Sequence, residues 1–293
     1  MSEILVGLDG SPASSSALAH AVSLAHLYGG RVRAVHAWTT PVWMGGIPGF
    51  AYNVLASPGE SERFATELAR RQVEALRTPD VDVVVDVVEG PARHVLVEAS
   101  RGATLLVLGS HGEGRVQGLL LGSVAQHLLD HASCPLLLVP DSGLEPGPVG
   151  KVVVGADGSE SSRCAMRWAS DVACRAGAPL VVLHAWMITS LPSYPKARFV
   201  PSLPELEAEC RDWLDTEVRQ VLPDPGVDVR QELTYASAVA ALRDAAGPDD
   251  LLVVGRRGRG GFPGLLLGSV ASQCAHYAEG LMVVVPAAAE PAA

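Results

Sequence analysis

The chain has 293 residues, 48% of them hydrophobic and 18% charged, a length that accommodates two domains and a composition that excludes a disordered chain. A formal net charge of −10, with lysine only at Lys151 and Lys196, excludes long-range attraction to nucleic acid or to an anionic membrane. The five cysteines, Cys134, Cys164, Cys174, Cys210 and Cys274, are odd in number and lack C-x-x-C spacing, which reads as reduced, structural thiols.

The opening "MSEILVGLDG" lacks the basic and apolar regions of a leader and passes directly into a strand, and no apolar run reaches the roughly 18 residues of a membrane span. A cytoplasmic protein is expected. "EILVGLDG" predicts a first strand ending in Asp-Gly. "SPASSSALAHAVSLAHLYGG" predicts a helix with a Ser-Pro start and a Gly-Gly stop. "RVRAVHAWTT" reads as a second strand, residues 59–77 as an amphipathic helix and "VDVVVDVVEG" as a third strand, whose Asp80, Asp82 and Asp86 read as a solvated face. A helix over 91–101, the strand "ATLLVLG", a helix over 122–132 and the strand "CPLLLVP" complete the series. Strands alternating with helices imply a largely parallel sheet covered on both faces.

From "KVVVGADGSESS" the order repeats. Asp9-Gly10-Ser11 matches Asp157-Gly158-Ser159, and His36-Ala37-Trp38 matches His184-Ala185-Trp186, both at an offset of 148. "LLVLGSHGEGRVQGLLLGSVA" from Leu105 matches "LLVVGRRGRGGFPGLLLGSVA" from Leu251 at an offset of 146, so two residues are lost in between, in the loop after the second strand. The pattern predicts one domain over 1–140, a Gly/Pro-rich linker over 141–150, a second domain over 151–286 and a frayed tail over 287–293. Residues 39–58 and 187–201 read as long loops, either ligand covers or surface loops.

Gly109, Gly112, Gly122 and Ser123 form G-x-x-G, nine residues, G-S, and Gly255, Gly258, Gly268 and Ser269 form it again. Glycines just past a strand permit positive φ and close approach of backbone amides to an anion, and the Gly-Ser step, with Ser123 and Ser269 as expected N-caps, turns a helix end toward the same anion. The alternative is that the glycines serve turns and a tight helix–strand contact; recurrence in register favours the phosphate cradle. No Lys follows the glycines, so this is not a Walker A loop, and the first strand is not followed by G-x-G-x-x-G. Asp9 and Asp157 end the first strand of each half, where a carboxylate reaches either a ribose hydroxyl or a phosphate-bound metal, or else makes only an Asx-turn with the following serine. His36 and His184 read as packed strand-end histidines, since neither has a Ser or Cys nucleophile paired with it.

Taken together, strand-Asp-Gly-Ser, the His-Ala-Trp strand end, G-x-x-G-x9-G-S and "CPLLLVP" make the chain resemble a tandem universal stress protein over nearly its whole length. The resemblance implies two tandem Rossmann-like α/β domains of the adenine-nucleotide-binding type, each a five-stranded parallel sheet with helices on both faces. It also implies ATP with Mg²⁺ at the sheet's C-terminal edge and dimer contacts through the last strand of each domain. Because an uncovered edge strand invites association, the two final strands are expected to pair within the chain as a pseudo-dimer, and chains to pair again as a homodimer. By the resemblance, Asp9 and Asp157 contact ribose or metal, and the backbones of Ala37 and Ala185 meet adenine. Gly109, Gly112, Gly122 and Ser123 hold phosphates in one domain, and Gly255, Gly258, Gly268 and Ser269 do so in the other, with Arg256, Arg257 and Arg259 added.

The two loops differ. Glu113 stands where the second loop has Arg259, and Arg115-Val116 where it has Gly261-Phe262, so weaker nucleotide binding is expected in the first domain. Ala236-Ser237 replaces Gly90-Pro91, and "AEGLMVVVP" lacks the Cys-Pro, changes that bear on the third-helix turn and the edge strand. The leading functional expectation is an ATP-binding stress-response regulator; the alternatives are a slow ATP hydrolase and an interaction protein with one degenerate site. No residue near the loops is an evident base for activating water.

Overall fold

A computed structural model describes residues 2–39, 58–76, 80–112, 121–140, 144–188, 202–260, 266–277 and 279–287. The first half contributes β1 (Glu3–Leu8), α1 (Pro12–Tyr28), β2 (Arg31–Trp38), α2 (Pro58–Leu76), β3 (Val83–Glu89), α3 (Ala92–Ala99), β4 (Leu105–Gly109), α4 (Ser123–His131) and β5 (Leu136–Val139). The second contributes β6 (Val152–Gly155), α5 (Glu160–Ala176), β7 (Leu180–Trp186), α6 (Leu203–Val221), β8 (Val229–Tyr235), α7 (Ala238–Ala245), β9 (Leu251–Gly255), α8 (Ser269–Tyr277) and β10 (Leu281–Val285).

The caps explain where the leading helices begin and end. Ser11 and Ser159 stand at the N-caps of α1 and α5, each side chain accepting the amide three residues on, from Ser14 and Ser162, at 3.1 Å. Both helices stop at a left-handed glycine, Gly29 (φ 60) and Gly177 (φ 64), a conformation that a Cβ disfavours. The substitution of Ala236-Ser237 for Gly90-Pro91 leaves the third-helix start in place: Ser237 is the N-cap of α7, its side chain accepting from the Ala240 amide, and α7 has eight residues like α3.

All ten strands form one sheet in the order β3-β2-β1-β4-β5-β10-β9-β6-β7-β8. Every neighbouring pair is parallel except β5 and β10, which run antiparallel with Leu136, Leu137 and Leu138 opposite Val284, Val283 and Met282. The expected intrachain pairing of the two final strands is therefore present. It also turns the two halves head to tail, so the C-terminal edge of one parallel set is the N-terminal edge of the other. Leu137 and Val283 pack into the core on one face, while Leu136, Leu138, Met282 and Val284 pack into the core on the other. Burial on both faces accounts for the unbroken apolar runs of the central strands.

Asp80 and Asp82 precede β3 rather than lying on it, and Asp86 is not simply solvated: its carboxylate accepts from Arg33 Nη2 at 2.5 Å across the β2–β3 pair. Between β2 and α2 the second half is three residues shorter (187–202 against 39–57), where the loss was expected, and between α2 and β3 it is one longer, a net loss of two. The long loops read over 39–58 and 187–201 lie largely outside the described residues. Among the described residues no helix is long and apolar enough to cross a membrane.

Candidate functional site

In each half the strand order reverses between β1 and β4, or between β6 and β9, which run side by side in register. At such a switch point the connections leave to opposite faces and open a crevice at the strands' C-terminal ends. Asp9 and Asp157 follow β1 and β6; the glycine loops follow β4 and β9. The topology therefore brings together the two motifs that recur in the sequence.

The Asp-Gly-Ser turns are built alike. Gly10 (φ 86) and Gly158 (φ 74) take the left-handed conformation that a glycine tolerates. In the first half the Ser11 amide donates to Asp9 Oδ1 at 3.0 Å and the Ser11 hydroxyl donates to the same oxygen at 2.6 Å. In the second, the Ser159 amide donates to Asp157 Oδ1 at 3.0 Å, while the Ser159 hydroxyl donates to the Arg257 carbonyl at 3.1 Å. The Arg259 amide donates to Asp157 Oδ2 at 2.9 Å. Burial alone would raise the pKa of Asp157, but the hydrogen bonds from Ser159 and Arg259 outweigh it and hold the carboxyl below its ordinary range. Asp157 is thus an ionised acceptor facing the crevice. The Asx-turn is real, and the same carboxylate also reaches the loop.

The glycines divide into two roles. A Cβ on Gly112 would collide with Asp9 Oδ2, and one on Gly258 with Asp157 Oδ2, so these positions hold the loop against the carboxylate. Gly109 and Gly255 instead face the leading helices: a Cβ would come 2.8 Å from Ala13 Cβ in one half and 2.6 Å from the Ser161 carbonyl carbon in the other. For that pair the tight helix–strand contact is what the glycine serves. None of these four has positive φ; the left-handed glycine of the site lies in the Asp-Gly-Ser turn.

The helix that follows is capped one residue earlier than expected. Gly122, extended at φ −70 and ψ 152, is the N-cap of α4, and Ser123 is its first helical residue; α8 likewise starts on Ser269. The Gly122 amide donates to the Ser110 carbonyl and the Gly268 amide to the Arg256 carbonyl, both at 2.8 Å, closing each loop at its base. Ser123, Val124 and Ala125 line the first crevice, and Ser269, Val270 and Ala271 line the second. First-turn amides have no intrahelical partner, and the helix dipole places partial positive charge there, so each crevice has a helix end of positive character in its wall.

Ala37 and Ala185 lie in the crevice walls as well, with Ala92 and Leu96 beside the first and Ala238 and Leu242 beside the second. This apolar slot is suited to a flat ring, and its helix-borne half, from α3 and α7, was missed in the sequence. The amphipathic period of those helices was the available cue, but it does not show which neighbour the apolar face meets. His36 and His184 are strand-end groups as expected: Nδ1 lies 3.0 Å from the Leu8 carbonyl and 2.7 Å from that of Ala156.

Arg256 departs from expectation. Arg257 lines the second crevice, with Nε donating to the Leu266 carbonyl at 3.0 Å, and the Arg259 guanidinium lies 5.7 Å from the Trp213 ring centroid. The Arg256 side chain turns away to the carbonyls of Asp130 and Ala132 in the other half. The reason is its place in the strand's alternation, one residue beyond Gly255, which faces α5. Glu113, Arg115, Val116, Gly261 and Phe262 lie outside the described residues.

Two doubly wound α/β units, each with a crevice between a carboxylate and a helix start, define a tandem Rossmann-like protein. The universal stress protein family model matches residues 1–140 and again 148–286, and the chain belongs to that family. A universal stress protein of Mycobacterium tuberculosis is 33% identical over 298 residues, covering 96% of this chain and 95% of the relative. One of Mycolicibacterium smegmatis is 32% identical over 292 residues, covering 96% of each. In fold, a crystal structure of a universal stress protein from Archaeoglobus fulgidus matches with a TM-score of 0.68 at 17% identity, covering 97% of this chain and 98% of that one.

Proposed function

We propose that the protein is an ATP-binding regulator of the stress response, acting in the cytoplasm, with a nucleotide site in each of two domains, 1–140 and 151–286, joined by a linker over 141–150. The observation that carries this reading is the convergence, twice in one chain, of an apolar slot, a carboxylate and free helix-end amides on one crevice. The slot suits adenine against Ala37 or Ala185, the carboxylate suits ribose or a metal, and the amides suit phosphates.

Mg²⁺ fits only as a passenger on the phosphates. No group of three metal-ligating side chains occurs among the described residues, so Asp9 or Asp157 is one ligand in a shell completed by phosphate oxygens and water. The second site binds more tightly, because the first loop carries Glu113 where the second has Arg259. With β5 and β10 already paired inside the chain, a homodimer of chains uses another surface.

The test is calorimetric titration of nucleotide-stripped protein with ATP and Mg²⁺, alongside Gly112→Asp and Gly258→Asp variants. Binding lost mainly in the Gly258 variant supports the reading; absence of heat, together with no nucleotide in the freshly purified protein, overturns it.

A further inference from the structure

Helix α4 has one end in each half's affairs. Its first turn lines the first crevice, and its last turn lies at the edge of the sheet where, because β5 and β10 are antiparallel, β9 of the other half ends. Arg256 is the first residue past β9. Its amide donates to the Val285 carbonyl and its carbonyl accepts from Gly268, both at 2.8 Å, so its backbone is the base of the second loop. Its side chain crosses to the first half: Nη1 donates to the Asp130 carbonyl at 3.4 Å, and Nη2 donates to that of Ala132. These carbonyls belong to the end of α4, where intrahelical partners run out and the dipole is negative, so a guanidinium caps them twice over.

Stability alone is a poor account of this choice. The Arg256 Nε is buried without a hydrogen-bond partner among the described residues, and an unsatisfied buried donor carries a desolvation cost. The matching position in the first half is Ser110. It repeats the backbone bonds, to Val139 and from Gly122, but its hydroxyl stays beside His111 Nδ1 at 3.1 Å and is too short to reach the end of α8. Among the described residues, this position therefore carries a side chain that crosses to the other half on the second loop, where the first loop has a serine.

We propose that Arg256 is a coupling residue that transmits ligand occupancy of the second site along α4 to the first. The inference rests on the nucleotide reading above. A phosphate drawn onto the second loop's amides moves the backbone that carries Arg256, and the grip on Asp130 and Ala132 changes with it; α4, rigid along its length, carries the change to Ser123. Linkage makes the effect on binding reciprocal.

Hydrogen exchange of the full chain tests this, with protein wild type at position 256, Arg256→Met and Arg256→Lys, all carrying Gly112→Asp so that no nucleotide touches α4 directly, compared without nucleotide and at ATP–Mg²⁺ concentrations that saturate the second site. Circular dichroism establishes that each variant is folded. Without nucleotide, Arg256→Met is expected to speed exchange in the last turn of α4 and in the second loop together, by about threefold or more, and Arg256→Lys by less. With nucleotide, exchange across residues 123–131 responds in the protein with Arg256 and loses that response in Arg256→Met. Saturation of the protein with Arg256 without any response in α4 overturns the coupling and leaves the nucleotide reading standing. An undiminished response in Arg256→Met likewise removes Arg256 from the link. If no ATP binds, the nucleotide reading and the coupling fall together, and the ligand-free comparison alone reports whether Arg256 clamps α4.

Discussion

Asp157 Oδ2 occupies the space that a β-carbon at position 258 would need, and Asp9 Oδ2 does the same for position 112. The two motifs farthest apart in each half are thereby one steric unit. Gly258→Ala is expected to displace the loop or the carboxylate and destabilise the protein by about 1–3 kcal/mol, with weaker nucleotide binding. In an Asp157→Ala background the same substitution should cost markedly less. Denaturant unfolding of the four proteins in a double-mutant cycle gives the coupling, and additive losses would show that the collision is relieved without consequence.

The same carboxylate sets a pH dependence. Asp157 has a native pKa below its unfolded value, so its contribution to stability is present above the ordinary carboxylate range and lost as pH falls through the native pKa. Asp157→Asn removes that contribution. Unfolding curves at neutral pH and near pH 3 should show wild type losing more stability than the variant over that interval; equal losses would mean the carboxylate is not held by Ser159 and Arg259.

Much of this site was legible because it is written twice. The recurrence of Asp-Gly-Ser and of the glycine loop, each just past an apolar strand, marks the residues that line both crevices. What spacing does not carry is which neighbour a residue faces. Gly109 and Gly112 look equivalent in G-x-x-G, yet one lets α1 approach β4 and the other accommodates a carboxylate. Ser123 looks like a cap, but a glycine in extended conformation does that work. Arg256 and Arg257 are adjacent and point into different halves of the molecule, a difference decided by one step of strand alternation and by the antiparallel seam that brings α4 near.

The thiols should follow their surroundings. Burial pushes Cys134 up to about 12 and Cys274 up to about 11, which leaves little thiolate at pH 8, whereas Cys174 is exposed. Alkylation of native protein followed by peptide mass spectrometry should label Cys174 first and Cys134 and Cys274 only on unfolding. Comparable labelling of all three in the native state would contradict the buried packing of the α4–β5 turn and of α8.

The seam between β5 and β10 makes the two halves one folding unit. Leu137 is about 1% exposed and lies opposite Val283 in a core shared by both halves. Leu137→Ala is expected to cost about 2–5 kcal/mol, the range for emptying a buried leucine site. Since one sheet spans both halves, wild type should unfold in a single transition in which circular dichroism and tryptophan fluorescence coincide. Leu137→Asp places an unpaired charge in that core and should separate the two signals into distinct transitions, as the halves lose their shared edge. Coincident, unshifted transitions in both variants would mean that each half is stable without the seam, and that the ten-stranded sheet is two independent sheets in contact.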